Sequence, residues 1–318
     1  MISRVFIIAI ASVLGLLLFI WQMLRPLPIG EANDPRARWR KIFRISLVVI
    51  LLSMGASAIW AFFIEPGRLV VHHDTITIDS WPKELSGLRI AMIGDVHADT
   101  RFINEAKLQR IVELTNAENP DLIVLLGDFI RGSGDNSEHV EPEVTARYLK
   151  SLHAPLGVYG VLGNHDWWYN GEKVRRAFEN EGIPILDDDV KELTWRGKSF
   201  WLAGLADLWT RPQHIATTID KAPAGSTIIA LTHNPDLFPA LPPTVPLLLA
   251  AHTHGGQVNI PLIGTPIVPS RFGSKYTAGH IFENNHHLFV TTGIGTSIMR
   301  VRFRVPPEIM ILTVNAKS

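Results

Sequence analysis

The sequence predicts an α/β chain in which strands outnumber helices, preceded by two apolar spans. Three observations carry this reading. Short apolar, β-branched runs recur from residue 88 to 314; the first three alternate with helical patterns; and polar residues close most of the runs. An excess of strands over helices implies more than one sheet, with helices on the outer faces. At 318 residues and 47% hydrophobic composition, the chain is long enough for one large domain and some accessory structure. Thirty basic residues balance thirty acidic ones, so nothing in the net charge suggests a nucleic-acid partner or a polybasic tail. There is no cysteine, which excludes disulfides, thiolate ligands and a cysteine nucleophile. Any metal must be held by nitrogen and oxygen.

Residues 5–24 (VFIIAIASVLGLLLFIWQML) and 45–64 (ISLVVILLSMGASAIWAFFI) are both of membrane-spanning length and almost wholly apolar. The first also resembles a signal peptide, but its apolar run is long and no A-x-A site follows, which favours two spans. Between them lie Arg25, Arg36, Arg38, Arg40, Lys41 and Arg44, whereas the outer flanks carry only Arg4 and Arg68. By the positive-inside rule this linker faces the cytoplasm, which puts both termini on the other side of an inner membrane. Residues 1–64 are thus expected to anchor a domain spanning 65–318.

In that domain the runs 88–94, 121–127, 157–163, 199–206, 226–232, 246–251, 287–293 and 308–314 read as buried strands. Helical patterns fall at Leu108, Ile111 and Val112; at Val144, Tyr148, Leu149 and Leu152; and at Val174, Ala177 and Phe178, after Asn170 and before Gly182. No linker or repeat interrupts the sequence after Gly67.

The strand ends carry the chemistry. The first closes in GDVH (Asp95, His97), the second in GDF (Asp128), the third in GNHD (Asn164, His165, Asp166), and later ones in TH (His233) and HTH (His252, His254). In an open α/β sheet, the loops beyond the carboxyl ends of strands gather at one edge. A single histidine or Gly-Asp there is ordinarily a loop or turn residue. Several carboxylates and imidazoles in one crevice are different, because without a cation their burial is costly. Imidazole, carboxylate and amide ligands suit Mn, Fe, Zn, Co or Ni. Seven such ligands exceed the needs of one open catalytic ion, and two divalent ions bridged by an aspartate fit them better.

The ordered series GDVH, GDF, GNHD, H, HTH resembles the calcineurin-like metallophosphoesterases. IEPGRL, LSGLRIAMIGDVH, HTHGGQVNIP, GIGTS and RVPPEI are similar to their membrane-attached branch. The likeness runs from about residue 88 to 314. It implies a sandwich of two mixed sheets flanked by helices, and a hydrolase acting on phosphoric esters at a dinuclear metal centre. Carried over by position, Asp95, His97 and His254 would bind one ion, Asn164, His233 and His252 the other, and Asp128 would bridge them. His165 would stand over the metals as the catalytic histidine. The sequence departs from the family at Ala251, where a glycine is expected, with no ligand lost.

On this basis a bridging hydroxide attacks phosphorus in line while His165 steadies the phosphoryl oxygens or protonates the leaving group. Asp166 either orients His165 or caps the turn that follows. Trp167 and Trp168 read as packing under the loop in preference to walling a pocket. Arg131 reads as a solvated loop residue, Asn234 as a possible neighbour of the site, and Arg300, Arg302 and Arg304 as the charged face of an exposed strand. His72, His73, His139, His153, His214, His280, His286 and His287 match no motif and read as surface or edge residues. The expected partners are a phosphoester, with a lipid-linked one in view, and membrane lipid. The alternatives are a UDP-2,3-diacylglucosamine pyrophosphate hydrolase, whose nucleotide-linked substrate needs the opposite topology, and a non-catalytic scaffold.

Overall fold

A computed structural model describes residues 35–132 and 140–317. The chain divides into two units, Met1–Trp60 and Ala61–Ser318. Of the two expected spans, the first lies outside the described residues. The second is helical: α1 (Pro35–Ile59) continues through a π turn at Trp60–Ile64 into a 3₁₀ turn at Glu65–Gly67. Among the described residues this is one helix long and apolar enough to cross a membrane, over Arg38–Gly67. α1 itself starts at Pro35, ten residues before the expected span, so Arg36, Arg38, Arg40, Lys41 and Arg44 ride on the helix instead of forming a loop. Straight-chain basic residues have good helix propensity, and nothing in this stretch breaks the helix.

The second unit holds two mixed sheets. The first runs β1 (Val70–Ile78), β11 (Glu308–Ala316), β2 (Leu88–Ile93), β3 (Leu122–Leu126), β4 (Val158–Val161). β2, β3 and β4 are parallel, and β11 pairs antiparallel to β2 and parallel to β1. The second runs β5 (Asp189–Trp195), β6 (Lys198–Gly204), β7 (Ile228–Leu231), β8 (Leu247–Ala250), β10 (His286–Val290), β9 (Gly279–Glu283). Its four central strands are parallel and both edge strands antiparallel. β1, β5 and β9 are not among the strands that the sequence predicts. All three carry polar, largely exposed residues, so they lack the apolar run by which the inner strands were found.

Alternation along each strand builds the layers. Ile90, Met92, Val124 and Leu126 face Leu202, Ile229, Leu247 and Phe289 between the sheets. Their neighbours Ala91, Ile93, Ile123 and Leu125 turn outward to α2 (Glu105–Ala117), α3 (Pro142–Leu149) and α4 (Asn164–Asn180), meeting Leu108, Ile111, Leu149, Val174 and Phe178. On the far side, Ala230, Leu248 and Leu288 pack on Leu237, Phe238 and Ile219, the last from α5 (Ile215–Ile219). A strand buried on both faces shows an unbroken apolar run, which is why the inner strands were legible. Asn170 does cap a helical segment, its Oδ1 accepting from Lys173 N at 3.1 Å. That segment is the second part of α4, which begins at Asn164 and is broken by the extended backbone of Asn170.

Candidate metal centre

β2, β3 and β4 release the chain at one edge of the first sheet, and β7 and β8 do so on the second. There Asp95, His97, Asp128, His252 and His254 all adopt positive φ, between 42° and 71°. Non-glycine residues pay for that conformation, and such strain concentrates at functional sites. The turn after β2 is tight on both sides. A Cβ on Gly94 would lie 2.5 Å from the Ala251 side chain, and one on Gly293 2.5 Å from Asp95 Oδ2. The methyl group of Ala251 therefore fits because Gly94, opposite it, has none.

The side chains converge into three sets whose ligand atoms lie within 4.8 Å of one another: Asp95, His97 and His254; Asp128, His233 and His252; and His97, Asp128 and His165. His97 Nε2 is 3.1 Å from His254 Nε2 and 3.5 Å from Asp128 Oδ2. His233 Nε2 is 3.2 Å from Asp128 Oδ2 and 4.0 Å from Asp95 Oδ1. Asp128 Oδ2 is thus shared between the sets. Every one of these residues is at least 95% buried.

Donor orientation is set by backbone carbonyls. His233 Nδ1 donates to Leu126 O at 2.8 Å, and His165 Nδ1 to Gly132 O at 2.8 Å, which leaves each Nε2 facing the centre. Among the described residues His97 Nδ1, His252 Nε2 and Asn164 Oδ1 are buried without hydrogen-bond partners. Buried polar atoms are normally satisfied, so unpartnered atoms on His97, His252 and Asn164 suit residues that would hold a cation. The nitrogen and oxygen donor set suits a divalent ion with no thiolate ligands.

The electrostatics agree. Burial pulls the imidazoles of His97 and His254 well below the usual histidine range and His252 to about 3, leaving neutral rings with lone pairs to offer. His233 moves the other way. Burial lowers it, but the Asp128 and Asp95 carboxylates outweigh that and raise it to about 10. For Asp128, burial acts upward and the His233 and His165 charges prevail, holding it well below the carboxylate range. Burial pushes Asp95 up to about 7. The carboxylates thus favour positive charge at the His233 side of the centre.

Asp166 holds the scaffold. Its carboxylate accepts from the backbone N–H groups of Asp128, Phe129, Ile130 and Gly163 at 2.8 to 3.2 Å. It thereby ties the loop after β3 to the start of α4, the capping alternative. Asn234 accepts from Asp236 N at 2.9 Å and caps a 3₁₀ turn.

Arg302 lies outside any strand and is fully buried: its guanidinium donates to Thr292, Gly293, Gly295 and Val305 carbonyls, and Nη2 sits 3.4 Å from His254 Nδ1. Arg131 is not a solvated arginine; with Arg300 it pairs with buried Asp99, at 3.5 and 3.1 Å. Trp167 does pack against the core beneath the loop, but Trp168 is 55% exposed, its ring 4.8 Å from that of His165. Trp209, which the sequence did not single out, stands 4.4 Å from the His252 ring and 6.2 Å from Trp168, so the two indoles form an aromatic wall. His286 and His287 are buried, bonded to Val245 O and the His280 ring.

The profile of the calcineurin-like phosphoesterase family matches residues 88–256. Among curated proteins, an uncharacterised metallophosphoesterase of Bacillus subtilis, YkuE, is 29% identical, covering 84% of this chain and 93% of that protein. Phosphodiesterase YaeI of Escherichia coli is 26% identical over 86% and 97%. UDP-2,3-diacylglucosamine pyrophosphatase LpxG of Chlamydia trachomatis is 26% identical over 84% and 95%. With the match taking in more than half of the residues and every convergent strand end, the chain belongs to the calcineurin-like phosphoesterases and is a hydrolase of phosphoester bonds.

Proposed function

We propose that the protein is a membrane-anchored phosphoesterase that cleaves phosphodiester or phosphomonoester bonds at a dinuclear metal centre. The observation that carries this is the buried Asp128 carboxylate shared between two imidazole-containing sets, with unsatisfied donor atoms around it. Asp95, His97 and His254 would hold one divalent ion, and Asn164, His233 and His252 the second, with Asp128 between. When bound, such ions polarise a phosphoryl oxygen and lower the pKa of water so that hydroxide is available near neutral pH.

The chain's own residues do the rest. With Nδ1 committed to Gly132 O, His165 turns Nε2 to the centre, where a proton on it would steady a phosphoryl oxygen or pass to a departing alkoxide. Ser297 Oγ, 3.3 Å from that nitrogen, fixes the ring's rotation. Asp166 keeps His165 and Asp128 in register, since the Asp128 loop hangs on its carboxylate and His165 N donates to Asp128 Oδ1 at 2.8 Å. Trp168 and Trp209 shield one side of the crevice from water.

Anchoring rests on the apolar helix over Arg38–Gly67. The basic residues at its amino-terminal end favour that end in the cytoplasm and the phosphoesterase unit outside. The likeness to LpxG supports a second reading, a nucleotide-linked lipid as substrate, which needs the unit inside. A reporter fused after Ser318 that is active only in the cytoplasm selects the second. The function itself is tested with full-length protein loaded with Mn, Zn, Fe or Ni and offered bis-p-nitrophenyl phosphate and p-nitrophenyl phosphate. Metal-dependent release of nitrophenol is expected, and none with any ion would defeat the proposal.

A further inference from the structure

A cavity of about 290 Å³ opens directly beside the centre. Two residues belong to both. His254 lines the cavity and stands 3.7 Å from Asp95 Oδ1, and Ser297 lines it and touches His165 Nε2. The rest of the wall is mainly apolar, from Val258, Pro266, Ile267, Ile298, Met299 and Val301. Its polar groups are already engaged: Gln257 Oε1 accepts from Ser297 N, Gln257 Nε2 donates to Met299 O, and Thr253 Oγ1 donates to Thr277 O. Such a wall offers little to a sugar or a base, whose hydroxyl and amide groups would be buried unpaired.

The mouth is apolar too. Ile267 is 77% and Ile298 84% exposed, and Leu262 and Ile263, on the same loop as Ile267, are also exposed. Exposed apolar clusters at a cleft mark binding surfaces. The volume lies at the small end of the roughly 300–1,000 Å³ usual for ligand pockets, which suits one chain more than a bulky lipid body.

We propose that this cavity is a subsite for an alkyl chain on one ester arm of the phosphoester, with the phosphoryl group at the metal centre. The proposal rests on the phosphoesterase reading and adds the class of substrate: an amphiphilic phosphodiester whose apolar arm enters past Ile267 and Ile298. A bilayer lipid and a soluble amphiphile would present the same chemistry.

The test compares methyl and dodecyl p-nitrophenyl phosphate, using the full-length, metal-loaded protein in lipid nanodiscs. The dodecyl ester is expected to show kcat/KM higher by about tenfold or more, since even a single methylene is worth that in a fitted pocket. In Ile267→Asp and Met299→Ser, both at exposed positions, the ratio of the two kcat/KM values should fall towards one. Equal kcat/KM for the two esters in the unmodified protein, or an unchanged ratio in both variants, would overturn the chain subsite alone. Cleavage of neither ester would bring down the phosphoesterase reading and the subsite with it. Adding the dodecyl ester to the solution or building it into the disc bilayer separates the sources. Preference confined to the bilayer form assigns the chain to a membrane lipid; preference in solution assigns it to a soluble amphiphile.

Discussion

The loops beyond the first sheet carry oxygen-bearing side chains, Asp95, Asp128 and Asn164, together with His97 and His165, whereas those beyond the second carry imidazoles alone, His233, His252 and His254. The two buried carboxylates of the first side repel each other, while on the second side His252 and His254 are neutral and only His233 is drawn towards positive charge, by those carboxylates. Packing the sheets face to face joins them, so the interleaved core of Met92, Leu126, Leu202 and Leu249 is also what assembles the site. The contrast is that one sheet holds the negative charge and the other only imidazoles; on the proposed dinuclear reading, the first would decide whether a cation binds and the second would refine its position.

The sharpest way to break this comparison is to remove charge from the first sheet without changing shape. Asp128→Asn is expected to abolish metal binding, measured by elemental analysis, and with it activity. In the metal-free protein it leaves His233 without its closest counter-charge and should cost about 3–5 kcal/mol in denaturant unfolding. His233→Asn on the second sheet should remove only part of the metal; equal losses from both would end the asymmetry.

His165 comes from the first sheet's loops but lies outside the oxygen set. His165→Ala is expected to keep full metal content and lose a factor of about 10² to 10⁴ in kcat. Metal loss in this variant would return His165 to the ligands.

Proton counting gives a smaller effect. A cation should displace the proton that His233 holds up to about pH 10, so loading at pH 8 should release about one proton more than loading above pH 10, where the ring is already neutral, seen as a buffer-dependent binding enthalpy.

The smallest effect concerns a carboxylate that joins the sheets without metal chemistry. Glu308, at the start of β11, accepts from Thr291 Oγ1 and Thr292 N beyond β10, and from His72 Nδ1 at 2.6 Å on β1. Burial acts upward on Glu308, but the His72 and threonine bonds hold its pKa down, so it stabilises above about pH 4.5 and that contribution is lost as pH falls through its folded value. The Glu308 bond raises His72 against the opposing pull of burial, so its contribution is present below about pH 6.5 and lost as pH rises through the folded value. Together they are strongest between those limits. With the His72 side chain half exposed, stability should fall by no more than about 1 kcal/mol from pH 6 to pH 8, and His72→Gln should flatten that slope.

Legibility followed the range of the forces involved. β2, β3, β7, β8 and β10 were readable because burial on both faces writes an unbroken apolar run, and the ligand-type residues were readable because each sits where such a run stops. β1, β5 and β9 were missed because edge strands carry exposed polar residues that mimic loops. Arg302 was misplaced because alternation of Arg300, Arg302 and Arg304 looks like a strand face, and nothing local reveals that buried carbonyls of Thr292, Gly293 and Gly295 await a guanidinium. Trp209 carries no local signal at all, since it stands 43 residues before the His252 ring that it covers.

The sequence by itself determined the family, the class of chemistry and the order of the ligand-type residues along the chain, because strand ends and glycine turns are local features. The pairing of His97 with His254 across 157 residues, the sharing of Asp128 and the apolar cavity beside Ser297 were decided only by tertiary structure. Those depend on how two sheets pack, and packing energy is spread over many side chains, none of which announces its partner.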